Sequence, residues 1–474
     1  MSRPVRIALQ VAAAAGGLLL LIAAALFLWV DPRLYQSRLE AIASRALGLE
    51  LRSADRLDID VFPALRLTLA DVSLHRQGAQ IATVKRVTVG VEWLSLLGDE
   101  LRVDTLVLVQ PVLTLERDRE GRFNVAEPAP PATPSPAQSW PEVSLSAGRI
   151  VFVDQRGGLG FEARDCHGRV QRLRRAAGTR ADLLKALSFD AEIGCAQLRR
   201  DALTLLDVQF RAEAKDAIVE IRPLTARLFD AQGSGRVRAD FSAAVASYRF
   251  DFTLAQFPVE AFFAAMSVEP LATGRMDFSA TLATSGASAA QLERALSGQV
   301  SLRGRDLVFV GTDLDAAFER FEASQTFSLV DVGAVFFAGP AGLLVTKGYD
   351  FASLARGNGG RSEIRTLVSE WKVEHGQAQA LDVAMATKAN RLALHGRLDL
   401  VGERFDDVSV ALVDAQGCAK VTQKIRGTFQ APVVEKPDLM RSLAGPVLRL
   451  LEKGRDALSG TPCEVFYAGS VPPP

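Results

Sequence analysis

From residue 57 onward, apolar and polar residues alternate in short runs. Leu57-Asp58-Ile59-Asp60-Val61 is the first, and Leu65-Arg66-Leu67-Thr68-Leu69 repeats it after Pro63. The pattern returns at Val87–Glu92, Leu101–Asp104 and Leu113–Glu116. Side chains two apart on a strand share a face, so each run gives a strand with one apolar and one wet side. Several such strands with little helix between them predict an antiparallel meander rather than βαβ units. Similar runs follow at Arg149–Val153, Val219–Arg222, Arg236–Phe241, Tyr248–Phe252, Gln299–Leu302, Arg391–Leu394, Val408–Leu412 and Lys424–Phe429.

Helical spacing is confined to a few places. Asp31-Pro32 opens a segment reaching about Leu47, with Gly48 where a helix end prefers it. Short helices are expected at Val259–Met266, Ser288–Leu296 and Asp313–Glu322. Near the C-terminus Leu439, Leu443, Val447 and Leu451 form an i, i+4, i+8 stripe, predicting an amphipathic helix within Pro437–Ser459 that Pro446 kinks or splits. The stretch 127–141 holds six prolines and reads as a semi-rigid linker or long loop. The expected organisation is an anchor at 1–30, a first β region at 31–126, the linker at 127–141, a middle β region at 142–285 and a last one at 286–474.

The anchor comes from one uncharged run. Arg3 and Arg6 precede Ile7–Val30, in which Gln10 is the one strongly polar side chain. As a helix rising about 1.5 Å per residue this run reaches roughly 36 Å, enough to cross a ~30 Å hydrocarbon layer with some tilt. A cleaved signal peptide is the competing reading, since Ala23–Ala25 offers small residues. The run, however, exceeds the ~7–15 apolar residues usual in such a peptide. Large domains translocate largely regardless of flanking charge, which favours a cytoplasmic N-terminus and a body on the far side.

Composition narrows the function classes. Lys+Arg and Asp+Glu both number 55, giving zero formal charge, against a nucleic-acid binder that needs clustered basic charge. An apolar fraction of 48% excludes a disordered chain. Four cysteines without a CxxC argue against thioredoxin-like redox chemistry and thiolate zinc sites. They fit an oxidising compartment with Cys166–Cys195 and Cys418–Cys463 as the preferred local pairs; four buried free thiols is the alternative.

Catalytic signals are weak. His75, His167, His375 and His395 are scattered, with no metal-binding spacing. Asp165-Cys166-His167 puts a thiol beside an imidazole, but neighbours on a strand point to opposite faces. Gly357-Asn358-Gly359-Gly360-Arg361 lacks the lysine and hydroxyl of a phosphate-binding loop, and no G-x-S-x-G elbow occurs. No enzyme activity, metal or cofactor is expected. Arg169, Arg172, Arg174 and Arg175 form a basic cluster suited to phosphate headgroups or to plain solvation.

The strands carry apolar faces that few helices can cover. A sandwich or closed barrel would hide them; a long curled sheet could instead fill its concave side with an apolar ligand. Side chains expected inside such a groove are Leu57, Ile59, Val61, Leu65, Leu67, Leu69, Val87, Val89, Val91 and Val103, each equally readable as ordinary core.

Several segments resemble the AsmA family. Asp31-Pro32 follows a single span; Phe62-Pro63-Ala64-Leu65-Arg66-Leu67 runs into Leu69-Ala70-Asp71-Val72-Ser73-Leu74; Leu94-Ser95-Leu96-Leu97-Gly98 comes next. Leu108-Val109-Gln110-Pro111-Val112-Leu113 and Glu116–Asn124, with its Gly121-Arg122-Phe123-Asn124, complete the N-terminal pattern. Leu228–Gly235 is similar to a later family step, with Asp230-Ala231 replacing its usual glycine pair. Leu296–Val300, Gly311–Leu314 and Leu392–Leu400 resemble its C-terminal region.

The resemblance implies a mainly β protein of the bacterial inner membrane. A single N-terminal transmembrane helix would be followed by an elongated, curled antiparallel sheet forming a U-shaped apolar groove, its body in the periplasm. It implies phospholipid or another acyl-chain lipid as partner, with periplasmic or outer-membrane proteins as further partners and no nucleic acid. The function it implies is phospholipid movement towards the outer membrane, supporting envelope integrity. A structural or chaperone-like factor for outer-membrane protein assembly, acting through an exposed strand edge, is the alternative.

Overall fold

A computed structural model describes residues 50–53, 58–60, 65–76, 79–92, 102–120, 122, 124, 138–155, 160–175, 183–200, 203–265, 270–311, 313–318, 360–435, 463 and 465–474. The apolar run 7–30, the segment 31–47 and the stripe at 439–451 lie outside them. Among the described residues no helix is long and apolar enough to cross a membrane.

Alternation makes strands here, as expected, and the strands are long. The first group is β1 (Glu50–Ser53), β2 (Asp58–Asp60), β3 (Leu65–Arg76), β4 (Ala79–Val91), β5 (Val103–Arg117), β6 (Gln138–Ser139), β7 (Glu142–Asp154) and β8 (Gly160–Arg175). Then come β9 (Leu187–Arg200), β10 (Leu203–Lys215), β11 (Ile218–Leu228), β12 (Ala231–Asp240), β13 (Ser247–Pro258), β14 (Ala272–Ser285) and β15 (Ser297–Gly311). The last are β16 (Gly360–Glu374), β17 (Gln377–Ala386), β18 (Arg391–Asp399), β19 (Arg404–Val413), β20 (Ala419–Gly427) and β21 (Pro432–Val434). Three short helices interrupt them: α1 (Leu183–Ala186), α2 (Val259–Ala265) and α3 (Ala289–Arg294).

Two units divide the chain, residues 1–132 with 140–171 and residues 133–139 with 172–474. In the first, β1 and β2 both pair with β3, and β3–β4–β5 form a meander. The expectation of purely antiparallel pairing fails at one place. β5 and β7 run parallel, with Thr105 opposite Glu142 and Arg117 opposite Asp154. A parallel pair needs a long return connection, and the Pro-rich stretch lies within that connection. In the second unit β9 to β17 follow one another, each antiparallel to the next, and the ladder continues through β21.

Left-handed residues recur inside strands. Asp71, Gln110, Ala147 and Asp165 have φ of 49° to 52°, in β3, β5, β7 and β8; Asp207, Gln256, Asp306 and Asp407 repeat this in β10, β13, β15 and β19. At such steps the alternation shifts by one, so the apolar side chains stay on one face, as in Leu69 to Val72 and Leu254 to Phe257. The paired register slips beside Asp207, Gln256, Asp306 and Asp407 and is kept between β3, β4 and β5 across Asp71 and Gln110. Such bulges bend and twist a strand locally. The Gln256 bulge is pinned by Asp277, whose Oδ1 accepts from the Gln256 backbone N–H at 2.8 Å.

The second unit has a dense core. Phe257, Phe309, Leu307, Leu314, Phe318 and Ile364 are almost fully buried there. After Pro258 ends β13, α2 presents Val259, Phe262 and Phe263 to this core at i, i+3, i+4 spacing; the Phe262 ring meets Phe229 edge-on at 5.1 Å. The helical turn at 314–318 is tied by Leu314, whose N–H donates to buried Ser362 Oγ at 2.6 Å. Ser288 caps α3, its side chain accepting from the Gln291 backbone N–H.

The opposite face of β16–β19 is covered in part as well. Val368, Ala384, Ala393 and Ala411 pack with Tyr467 and Val471 of the C-terminal segment. The Cys418–Cys463 disulfide, with Cα atoms 6.1 Å apart, fastens that segment, and Val465 bridges to Cys418.

Candidate functional site: a two-faced sheet with an open apolar side

Register places the apolar side chains in rows. In the first unit Leu67, Val89, Leu106, Val143 and Val170 lie opposite one another across β3, β4, β5, β7 and β8. The next row is Leu69, Val87, Leu108 and Leu145, and beyond the bulges comes Leu74, Ala82, Leu113 and Ile150. Most of these side chains are only half-buried. Full burial of such a side chain is worth roughly 1.5–3 kcal/mol, so this face retains a substantial driving force to meet more hydrocarbon.

The expected groove residues fall on this face. Ile59, Leu67 and Val87 gather round Leu69 and Val72; Leu65 opposes Val91, which opposes Val103, and Leu67 opposes Val89. Leu65, Leu69 and Val91 are buried at 7%, 9% and 3% exposure, whereas Ile59, Leu67, Val87, Val89 and Val103 are half-open. Leu57 and Val61 lie outside the described residues.

The second unit carries the same device. One row reads Ile193, Phe210, Leu224, Gly235, Phe252, Ala280 and Val300 from β9 to β15; its neighbour reads Ala191, Ala212, Ile221, Val237, Phe250 and Leu282. The larger members are again half-exposed. Phe252 lies across β12 where there is no side chain to stop it: a Cβ on Gly233 would sit 2.4 Å from its ring. Phe250 stacks beside it at 6.1 Å. Gly233 and Gly235 belong to the segment that resembles the family's glycine-containing step.

The reverse face is charged. Arg211 pairs with Glu192 at 2.9 Å, Arg238 with Glu220 at 2.5 Å, Arg236 with Asp251 at 2.7 Å and Arg397 with Asp406 at 2.9 Å, all across neighbouring strands; Arg303 also pairs with Glu370. Hydrogen bonding from Arg236 holds the Asp251 carboxyl below the usual carboxylate range. Exposed pairs like these contribute only about 0–1 kcal/mol each, so their significance is in marking which side faces water.

The apolar side is not open everywhere. Over β16–β19 it is filled by the protein's own side chains, Leu367, Met385, Leu392, Val410 and Leu412 among them. The open surface is therefore limited to β3–β8 in the first unit and β9–β15 in the second. Val72 is not among the expected groove residues because the step at Asp71 breaks the alternation. Leu106 and Leu108 sit in a continuous apolar run, and Phe250 and Phe252 lie in a run read as a strand but not assigned to the groove.

Other singled-out residues are structural. Cys166 is 1% exposed and disulfide-bonded, so it presents no thiolate beside His167. Asn124 braces β5: its Nδ2 donates to the Thr114 carbonyl at 2.9 Å and its Oδ1 accepts from the Glu116 N–H at 3.0 Å. Among the described residues no group of three or more His, Cys, Asp or Glu is placed to hold a metal.

Together these features define a mainly β protein with a long open sheet whose apolar face stays half-exposed over β3–β8 and β9–β15 and is packed over β16–β19. Residues 5–155 match the family model of the AsmA family. No curated protein and no solved structure matches the chain.

Proposed function

We propose that this is an inner-membrane-anchored periplasmic protein that binds phospholipid along its apolar sheet face and helps move it towards the outer membrane. The observation that carries the reading is the set of half-exposed apolar rows, repeated in both units and backed by a charged reverse face. A lipid tail in water exposes CH₂ groups at about 0.8 kcal/mol each, and a continuous apolar surface lowers that cost while headgroups remain in solvent. The match of residues 5–155 to the AsmA family model supports the same role.

The test is lipid content. The full chain, expressed in bacteria and purified through detergent exchange, should retain phospholipid measurable by mass spectrometry. Val89→Asp places a charge in the middle of a row and should lower that content severalfold while the circular dichroism spectrum is unchanged. Folded wild-type protein without lipid would overturn the carrier reading and favour an outer-membrane assembly factor.

A further inference from the structure

Where the apolar rows of the second unit end, the chemistry changes. A cavity of about 760 Å³ opens there, walled by the ends of β8, β9 and β10, by Ser139 and by α1. Its lining includes Leu187, Phe189 and Ala214; Phe189 and Ala214 lie directly opposite each other, at the end of the face that carries Ala191, Ala212, Ile193 and Phe210. The same lining holds Arg172, Arg174, Arg175, Lys185 and Lys215 against Asp190, Glu213 and Asp216.

Arg172 and Asp190 pair with each other. The remaining lining has an excess of two positive charges. Among the described residues Lys185 and Lys215 take part in no ion pair, and both are exposed. Lys215 ends β10 at the tight β10–β11 turn, where Asp216 and Ala217 have φ of 51° and 63°. A cavity lined by both apolar side chains and an excess of cationic ones suits a molecule with an apolar tail and an anionic head.

We infer that this cavity is a seat for a phosphate group, with Arg174, Lys185 and Lys215 as its cationic contacts and Leu187 and Phe189 receiving the first methylenes of an attached acyl glycerol. The inference rests on the lipid-binding reading above and adds to it a defined station for the headgroup. Charge-assisted contacts to phosphate are about twice as strong as neutral hydrogen bonds, so losing two lysines weakens binding by about tenfold or more.

The experiment is calorimetric titration of the full chain, held in amphipol, with three probes: dihexanoyl-phosphatidylglycerol, dihexanoylglycerol and inorganic phosphate. The phospholipid should bind more tightly than either of the others. The double variant Lys185→Gln/Lys215→Gln should bind it about tenfold more weakly and bind dihexanoylglycerol as wild type does. Unchanged phospholipid affinity in the variant would overturn the headgroup seat and leave the groove standing. Inorganic phosphate binding as tightly as the phospholipid would make this a free-anion site and overturn the lipid assignment. Failure of wild type to bind either glycerolipid would overturn both readings.

Discussion

Asp71 holds a φ of 49° in the interior of β3, a conformation that costs most L-residues roughly 1–2 kcal/mol and that Asp tolerates better than β-branched residues do. Its effect is to carry the apolar face from Leu69 to Val72 across an odd step. Asp71→Val should therefore lower stability by about 1–2 kcal/mol in urea unfolding, while Asp71→Gly leaves it equal or slightly raised. A valine variant as stable as wild type would show that the bulge is not held by the residue's conformational preference. This position also shows what was legible one residue at a time. Leu65, Leu67 and Leu69 were readable as one face because their spacing is two. Val72 was not, because only a bulge brings it to the same side, and a single Asp within a strand looks like any polar position.

At the scale of elements, two of the three helices within the described residues were readable because their sequences break alternation clearly, while the single turn of α1, Leu183–Ala186, was not expected. The expected Val259–Met266 appears as α2 over Val259–Ala265, and Ser288–Leu296 as α3 over Ala289–Arg294. The strands were underestimated in length wherever a bulge or a proline such as Pro111 interrupted the pattern. Of the C-terminal clasp, the Cys418–Cys463 pair was expected, but the other contacts were not, because they join residues some 80 apart: Arg391 donates to the Val471 carbonyl at 3.0 Å and Tyr467 to Asp382 at 2.5 Å. This clasp should respond to pH. His395 stacks on Phe466 at 4.5 Å, and partial desolvation lowers its imidazole pKa. The unfolded chain then binds more protons as pH falls through about 6.5, so stability is lost on acidification. Burial alone would raise the pKa of Asp382, but hydrogen bonds from Ser470 and Tyr467 outweigh it and keep the carboxyl below its ordinary value. Its contribution is present above about pH 3.9 and is lost as pH falls through the folded-state value. Urea midpoints should thus decline from pH 7.5 to 5.5 in wild type and stay flatter in His395→Phe. Parallel declines in the two proteins would remove His395 from the account.

At the scale of the whole molecule, the argument turns on where hydrocarbon is already satisfied. Apolar faces run through both units, and the sequence pattern alone assigns them all the same character. Packing separates them: Phe309 and Val410 are at 0% exposure, whereas Val89, Phe250 and Val300 remain half-open. The difference follows from what covers each region. The second-unit core brings α2, the helical turn at 314–318 and large aromatics over part of its face, and such coverage comes from distant chain segments that strand periodicity does not report. A lipid carrier must therefore show a bounded contact map. With a photo-reactive amino acid placed singly in the full chain in cells, Val89, Phe250 and Val300 should cross-link to lipid, and Phe309 and Val410 should not. Each open position neighbours half-exposed side chains that an acyl chain can join without displacing packed atoms, while entry at Phe309 or Val410 would require emptying a core whose large side chains each contribute about 3–5 kcal/mol. Equal labelling at open and sealed positions would mean that the apolar face is not the conduit, and labelling at neither would mean that these strands do not contact lipid.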